Sequence, residues 1–276
     1  MNFFTRLSAG WNLALKSFAV IRQHKQLVLL PVFSSITLLL VMASFAIGIF
    51  GIGGFDVDQL GDNSRMYYYI LLFCYYVISY FIIVFFNMAL IHCARLHFEN
   101  KPVHAVDGLR FSMKKIGAIF SWALFAGTVG LLLKIIQDNA GRLGQIIIGL
   151  IGVVWSIATF FVVPVIAYEN LGPIDAFKRS STIMKQKWGE SLGATFSFGI
   201  IQILALFIVG AVLFILGSLI SPILGIILAF LGCFLIFSII SAAETIFISA
   251  VYHYTQGGQP MEGFDNETLD GLFINK

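Results

Sequence analysis

The sequence predicts an all-α, polytopic membrane protein, and three observations carry that prediction. Hydrophobic residues fill 59% of the 276 positions and charged residues 11%, more apolar surface than a water-soluble domain of this length could bury. The apolar residues gather into six runs, each long enough to cross a hydrocarbon layer of about 30 Å. The basic residues fall in alternate connections between those runs, the pattern left by oriented insertion.

In chain order the spans are expected at 27–50, 67–92, 116–136, 143–167, 192–220 and 223–252. The polar stretch 1–26 is too long for the head of a cleavable leader, and no small-x-small site ends the run behind it, so it is expected to be retained. The second run opens on Met66–Tyr69, "MYYY", amphipathic rings suited to a membrane–water boundary. Only Ser221 and Pro222 separate the last two runs. Proline has no backbone donor and suits the first turn of a new helix, so this dipeptide predicts a tight hairpin.

With the N-terminus in the cytoplasm, only Arg65, Lys134 and Arg142 of the 17 Lys and Arg lie outside. The bias places both termini in the cytoplasm of a bacterial inner membrane. The outer connections are short, so a site is expected within the bilayer or on the cytoplasmic face.

The cytoplasmic segments repeat. "IDAFKRS" (174–180) aligns without gaps on "VDGLRFS" (106–112) and more loosely on "WNLALKS" (11–17), so that Ser180, Ser112 and Ser17 correspond. "FEN" (98–100) and "YEN" (168–170) stand before the second and third copies. The chain is therefore expected to be one membrane domain, 1–276, of three hairpin units (about 3–98, 99–168 and 169–254), each preceded by a cytoplasmic amphipathic helix, with a tail at 255–276.

In the first of those helices Phe4, Leu7, Trp11, Leu15 and Phe18 share a face; in the third, Ile174, Phe177, Met184 and Trp188 do. A basic helix with an aromatic face suits the inner headgroup layer, and the expected contacts to anionic lipid are Lys16, Arg110, Lys114, Lys115, Lys178, Arg179, Lys185 and Lys187. The other reading is a buttress packed under the bundle without lipid preference. The acidic stretch 260–273 is expected to dock on this basic collar.

The pattern Trp11, Leu13, Leu15–Ser17, Lys25, Leu27 and Pro31 resembles a family of prokaryotic six-span membrane proteins known as a domain of unknown function. "SWALFAGTVG" (121–130), "KWGESL" (187–192) and "VYHYTQGG" (251–258) fit the same resemblance. More distantly the chain is similar to the membrane domain fused to some bacterial glycerophosphodiester phosphodiesterases, without their catalytic domain. The resemblance implies the six-span topology and supplies no activity.

Among residues that could carry chemistry, Glu244 stands out as an acid well inside an apolar run. At ~1.5 Å per residue it lies about 33 Å along the last helix from Pro222, and Asn87 on the second span is at a matching depth. The pair is the candidate buried polar site, either a structural hydrogen bond or a proton-sensitive group. Three cysteines without paired spacing and five histidines predict neither disulfide nor metal site. No nucleophile elbow, zinc-protease motif or phosphate-binding loop occurs, and no cofactor is expected. Small-xxx-small pairs (Ser44/Gly48, Gly193/Ser197, Gly217/Ser221, Gly225/Ala229) permit close helix approach within the chain or in a homo-oligomer. Together these observations point to a non-enzymatic protein that interacts with lipid or scaffolds another membrane protein, with a permease for an apolar or amphipathic solute as the alternative; the small net charge gives no case for nucleic acid.

Overall fold

A backbone in hydrocarbon must satisfy its own N–H and C=O groups, so apolar runs of this length become helices. The computed structural model describes residues 14–51, 62–186 and 188–256, without the side chains at 51, 62–64, 186 and 188–197. Among the described residues there is no strand. Residues 14–23 form α1, and a 3₁₀ turn at Lys25–Val28 leads into α2 (Leu29–Gly51). Then follow α3 (Asp62–Phe98), α4 (Ala105–Lys114), α5 (Ile116–Asp138), α6 (Arg142–Ala158), α7 (Val162–Glu169), α8 (Pro173–Gln186), α9 (Trp188–Ser218) and α10 (Pro222–Thr255). Six of the described stretches are long and apolar enough to cross a membrane: Lys25–Phe50, Arg65–Phe98, Ile116–Asp138, Arg142–Glu169, Phe198–Ser218 and Pro222–Thr255. The fold is all-α and polytopic.

By contacts the chain divides into two compact units. The first comprises Met1–Val32, Leu90–Gly108 and Lys185–Lys276. Here α9 and α10 form the expected hairpin. The Ser221 hydroxyl caps α10 by accepting from the Leu224 N–H at 3.1 Å, and Pro222 fills the first helical position. A Cβ on Gly217 would sit 2.7 Å from the Gly225 Cα, so glycine at both positions lets the two backbones touch beside the turn. These two glycines are thus used inside the hairpin. Toward the other end Phe247 of α10 and Phe18 of α1 both meet the ring of Phe198, at 5.7 and 6.3 Å.

The second unit comprises Phe33–Ala89 and Leu109–Met184. Phe45 of α2 meets Tyr75 of α3 edge to face at 5.8 Å. On the other side of α3, a Cβ at Gly127 of α5 would fall 3.2 Å from the Val77 backbone nitrogen, so this crossing requires glycine. Trp122 of α5 and Trp155 of α6 stack with an interplanar angle of 3°.

The fourth span departs from expectation. Instead of one helix over 143–167, α6 stops at Ala158 and α7 starts at Val162. Pro164 is the cause: it lacks the N–H that would bond the Phe160 carbonyl, and its ring collides with that carbonyl in a regular helix. The turn tightens, with the N–H groups of Phe160 and Val162 reaching the carbonyls of Ile157 and Thr159 three residues back. α8 is described as far as Gln186 and α9 from Trp188; Lys187 between them lies outside the described residues.

Candidate lipid interface and buried polar residues

α4 and α8 are built alike. Before each, a span ends on an asparagine in the left-handed conformation, Asn100 (φ 54°) and Asn170 (φ 51°), a backbone state that asparagine tolerates as a helix terminator. Each has an aspartate in its first turn, Asp107 or Asp175, where the helix dipole favours negative charge. Each then buries its aligned serine completely, and Ser17 in α1 is equally buried.

The serines are anchors. The Ser112 hydroxyl donates to the Phe85 carbonyl of α3 at 2.9 Å. Ser180 Oγ accepts from the Phe161 N–H at 3.0 Å and donates to the Ala158 carbonyl at 2.7 Å, and so supplies both backbone groups loosened at the α6–α7 break. Phe177 stacks on Trp155 at 5.2 Å, and Ile183 and Met184 are buried with Ser180. Phe177, Ile183 and Met184 are therefore turned into the protein, while Ile174 of the same helix stays exposed. Periodicity identifies an apolar face but not what covers it.

The basic side chains sort into groups. Arg110 and Lys114 on α4, and Lys178 and Lys185 on α8, are exposed, as are the apolar residues Val106, Met113 and Ile174 of the same two helices. Lys178 is 3.6 Å from Asp175, a loose and fully solvated pair. Lys115 turns to the Asn170 side-chain oxygen and lies over the Phe111 ring. Arg179 Nε reaches both oxygens of Glu169 at 3.0 Å. Lys16 is half-buried, and Lys187 and the tail 260–273 lie outside the described residues.

Glu99, the counterpart of Glu169, accepts from Lys101 at 2.6 Å and from Arg95 at 2.7 Å. The Lys101 bond is the main reason its carboxyl is held below the usual range; partial burial opposes it and Arg95 reinforces it.

Glu244 sits on α10 between the buried Ala243 and Thr245, itself half-buried, and Asn87 is half-buried on α3. Glu244 belongs to the first unit and Asn87 to the second, and neither side chain makes a hydrogen bond or ion pair to another described residue. All five histidines belong to the first unit, where His24 Nε2 and His97 Nδ1 approach to 3.3 Å. Among the described residues no group of three or more His, Cys, Asp or Glu could hold a metal ion.

Sequence reasoning passed over one further group. The Lys134 ammonium donates to Asp138 at 2.6 Å, and the Tyr69 hydroxyl donates to the same carboxylate at 3.4 Å. These contacts bring the Asp138 end of α5 to the first turns of α3.

Residues 66–263 match the model of a family described as Family of unknown function (DUF6159), and the chain belongs to that family. The match includes 121–130, 187–192 and 251–258; the pattern from Trp11 to Pro31 precedes it. No curated protein matches the sequence.

Proposed function

We propose that this family member is a non-enzymatic inner-membrane protein that binds anionic lipid, or scaffolds a membrane partner, through a basic stripe on α4 and α8. The observation that carries this reading is the division of labour on those helices. Serine and aromatic groups hold them to the bundle, while Arg110 and Lys114 on α4 and Lys178 and Lys185 on α8 stay exposed, as do Val106, Met113 and Ile174. Each lysine at an anionic surface contributes about 1 kcal/mol. The lysine-rich face lies on the cytoplasmic side if charge asymmetry sets orientation.

The test uses the full-length protein in nanodiscs of mixed phosphatidylglycerol and phosphatidylcholine. Replacing Lys114, Lys178 and Lys185 by Gln should lower the enrichment of phosphatidylglycerol around the protein, by about 1 kcal/mol per residue. Unchanged enrichment leaves only the buttress. Reporter fusions after Asn100 and after Asp58 should read cytoplasm and exterior respectively, and a cytoplasmic signal at Asp58 overturns the orientation.

One observation favours the permease alternative: discontinuous spans line substrate paths in many transporters, and α6–α7 is discontinuous. Here the break is filled by Ser180 and by the fully buried Phe161. A solute that stabilises the wild-type protein but not a Phe161→Ala variant would favour that alternative.

A further inference from the structure

The second unit contains a cavity of about 220 Å³ near the Asp138 end of α5. Its walls include Tyr76 of α3, Gly130, Lys134 and Gln137 of α5, and Gly149 and Gly152 of α6. From Gln137 to Gly130 it descends about 10 Å along α5 at ~1.5 Å per residue, the depth over which headgroup gives way to acyl chain. The glycines create the space: a Cβ at Gly149 or Gly152 would meet no atom within 4 Å.

The lining has one sign of charge. Lys134 is its charged member, and the ammonium gives one hydrogen to Asp138, leaving two with no other described protein partner. Gln137 adds an amide. Asp138, the nearby acid, is occupied by Lys134 and Tyr69. Arg65 near the start of α3 and Arg142 at the start of α6 bring two more cations to the same end of the unit. An ammonium at this depth is costly unless it meets charge or polarity, and a second acceptor would use hydrogens that Asp138 does not.

We propose that this cavity binds the oxyanion of an amphiphile, a phosphate or carboxylate headgroup entering from the leaflet at the Asp138 end. The volume is below the 300–1,000 Å³ or so typical of sites that enclose a whole ligand, so the cavity takes the headgroup and leaves the acyl chains in the bilayer. The proposal goes beyond the basic stripe on α4 and α8 and stands without it.

The full chain, purified in a neutral maltoside detergent, is titrated with phosphatidylglycerol, phosphatidylcholine or inorganic phosphate, reading bound lipid by native mass spectrometry and thermal stability in parallel. Wild type should retain one phosphatidylglycerol more tightly than phosphatidylcholine. Gly149→Leu and Gly152→Leu, whose Cβ atoms would meet nothing within 4 Å and whose branches add bulk at the cavity wall, should each weaken that lipid at least tenfold, and Lys134→Gln should do the same. The Lys114, Lys178 and Lys185→Gln variant should keep it, which separates this site from the stripe. Stabilisation of wild type but not Gly149→Leu by phosphate alone would keep the oxyanion site and overturn its lipid source. Equal retention by wild type and both leucine variants, or equal affinity for the two lipids, overturns the proposal.

Discussion

α4 and α8 start from nearly the same seven residues and are anchored through the same atom, yet they meet different backbones. Ser112 adds a bond to a carbonyl of α3, a helix with no interruption between Asp62 and Phe98. Ser180 completes a helix that Pro164 has broken, as acceptor for one group and donor to another. A repeat can thus preserve its geometry while one copy becomes indispensable and the other remains supplementary. What sets the difference is the span receiving the anchor, not the anchor itself.

The largest expected effect follows from that asymmetry. Ser180→Ala strips the Phe161 N–H of its partner in a buried, water-poor site, leaves the Ala158 carbonyl only the longer 3.4 Å bond from Ser181, and should cost about 2 kcal/mol. Unfolding in mixed micelles measures it, and a loss no greater than that of Ser112→Ala would erase the distinction. Pro164→Ala sharpens the comparison: with a backbone donor restored at 164, the helix can close over the break. In that background Ser180→Ala should cost at least 1 kcal/mol less than in wild type, read as a double-mutant cycle. Ser112→Ala alone should cost about 0.6 kcal/mol, the ordinary value for a side-chain bond between membrane helices.

The smallest effect is at Glu99. Its carboxyl is depressed in the folded state, so its contribution is present above the unfolded carboxylate pKa and fades as pH falls through the lower, folded value. Glu99→Gln should therefore remove a small stabilisation at pH 7, converge with wild type at acid pH, and so flatten the acid limb below about pH 4.5. Thermal scans at pH 7 and pH 3 measure the difference, and an unchanged acid limb would show the Lys101 and Arg95 contacts to be inconsequential.

The spans were legible because hydropathy over some twenty residues reports directly on the bilayer, and the turn at Ser221–Pro222 because its chemistry is local. The break in the fourth span was not, although Pro164 was in plain view. An apolar window registers proline as one more uncharged residue, and the partner that makes the break tolerable lies at Ser180. The aligned serines could be read as a repeat, but their burial could not. Phe177 and Met184 mark an apolar face, and apolar faces look alike whether lipid or protein covers them. The cavity was hidden for a related reason. Lys134 counted only as an outward charge, while Gly149 and Gly152 matter for the empty volume in front of them, which no residue type announces.

The seal on the fourth span also orders the making of the protein. Ribosomes deliver the chain from its N-terminus, so α6 and α7 leave the exit tunnel before the residue that completes them. Until Ser180 follows and folds back, the Ala158 carbonyl and the Phe161 amide have no protein partner at the break. They must stay hydrated or at the insertion machinery during that interval, because hydrocarbon would penalise both. The fourth span is thus finished by α8, and in a nascent chain ending at Glu169 residues 158–161 should be more accessible to water-borne labelling reagents than in one ending beyond α8.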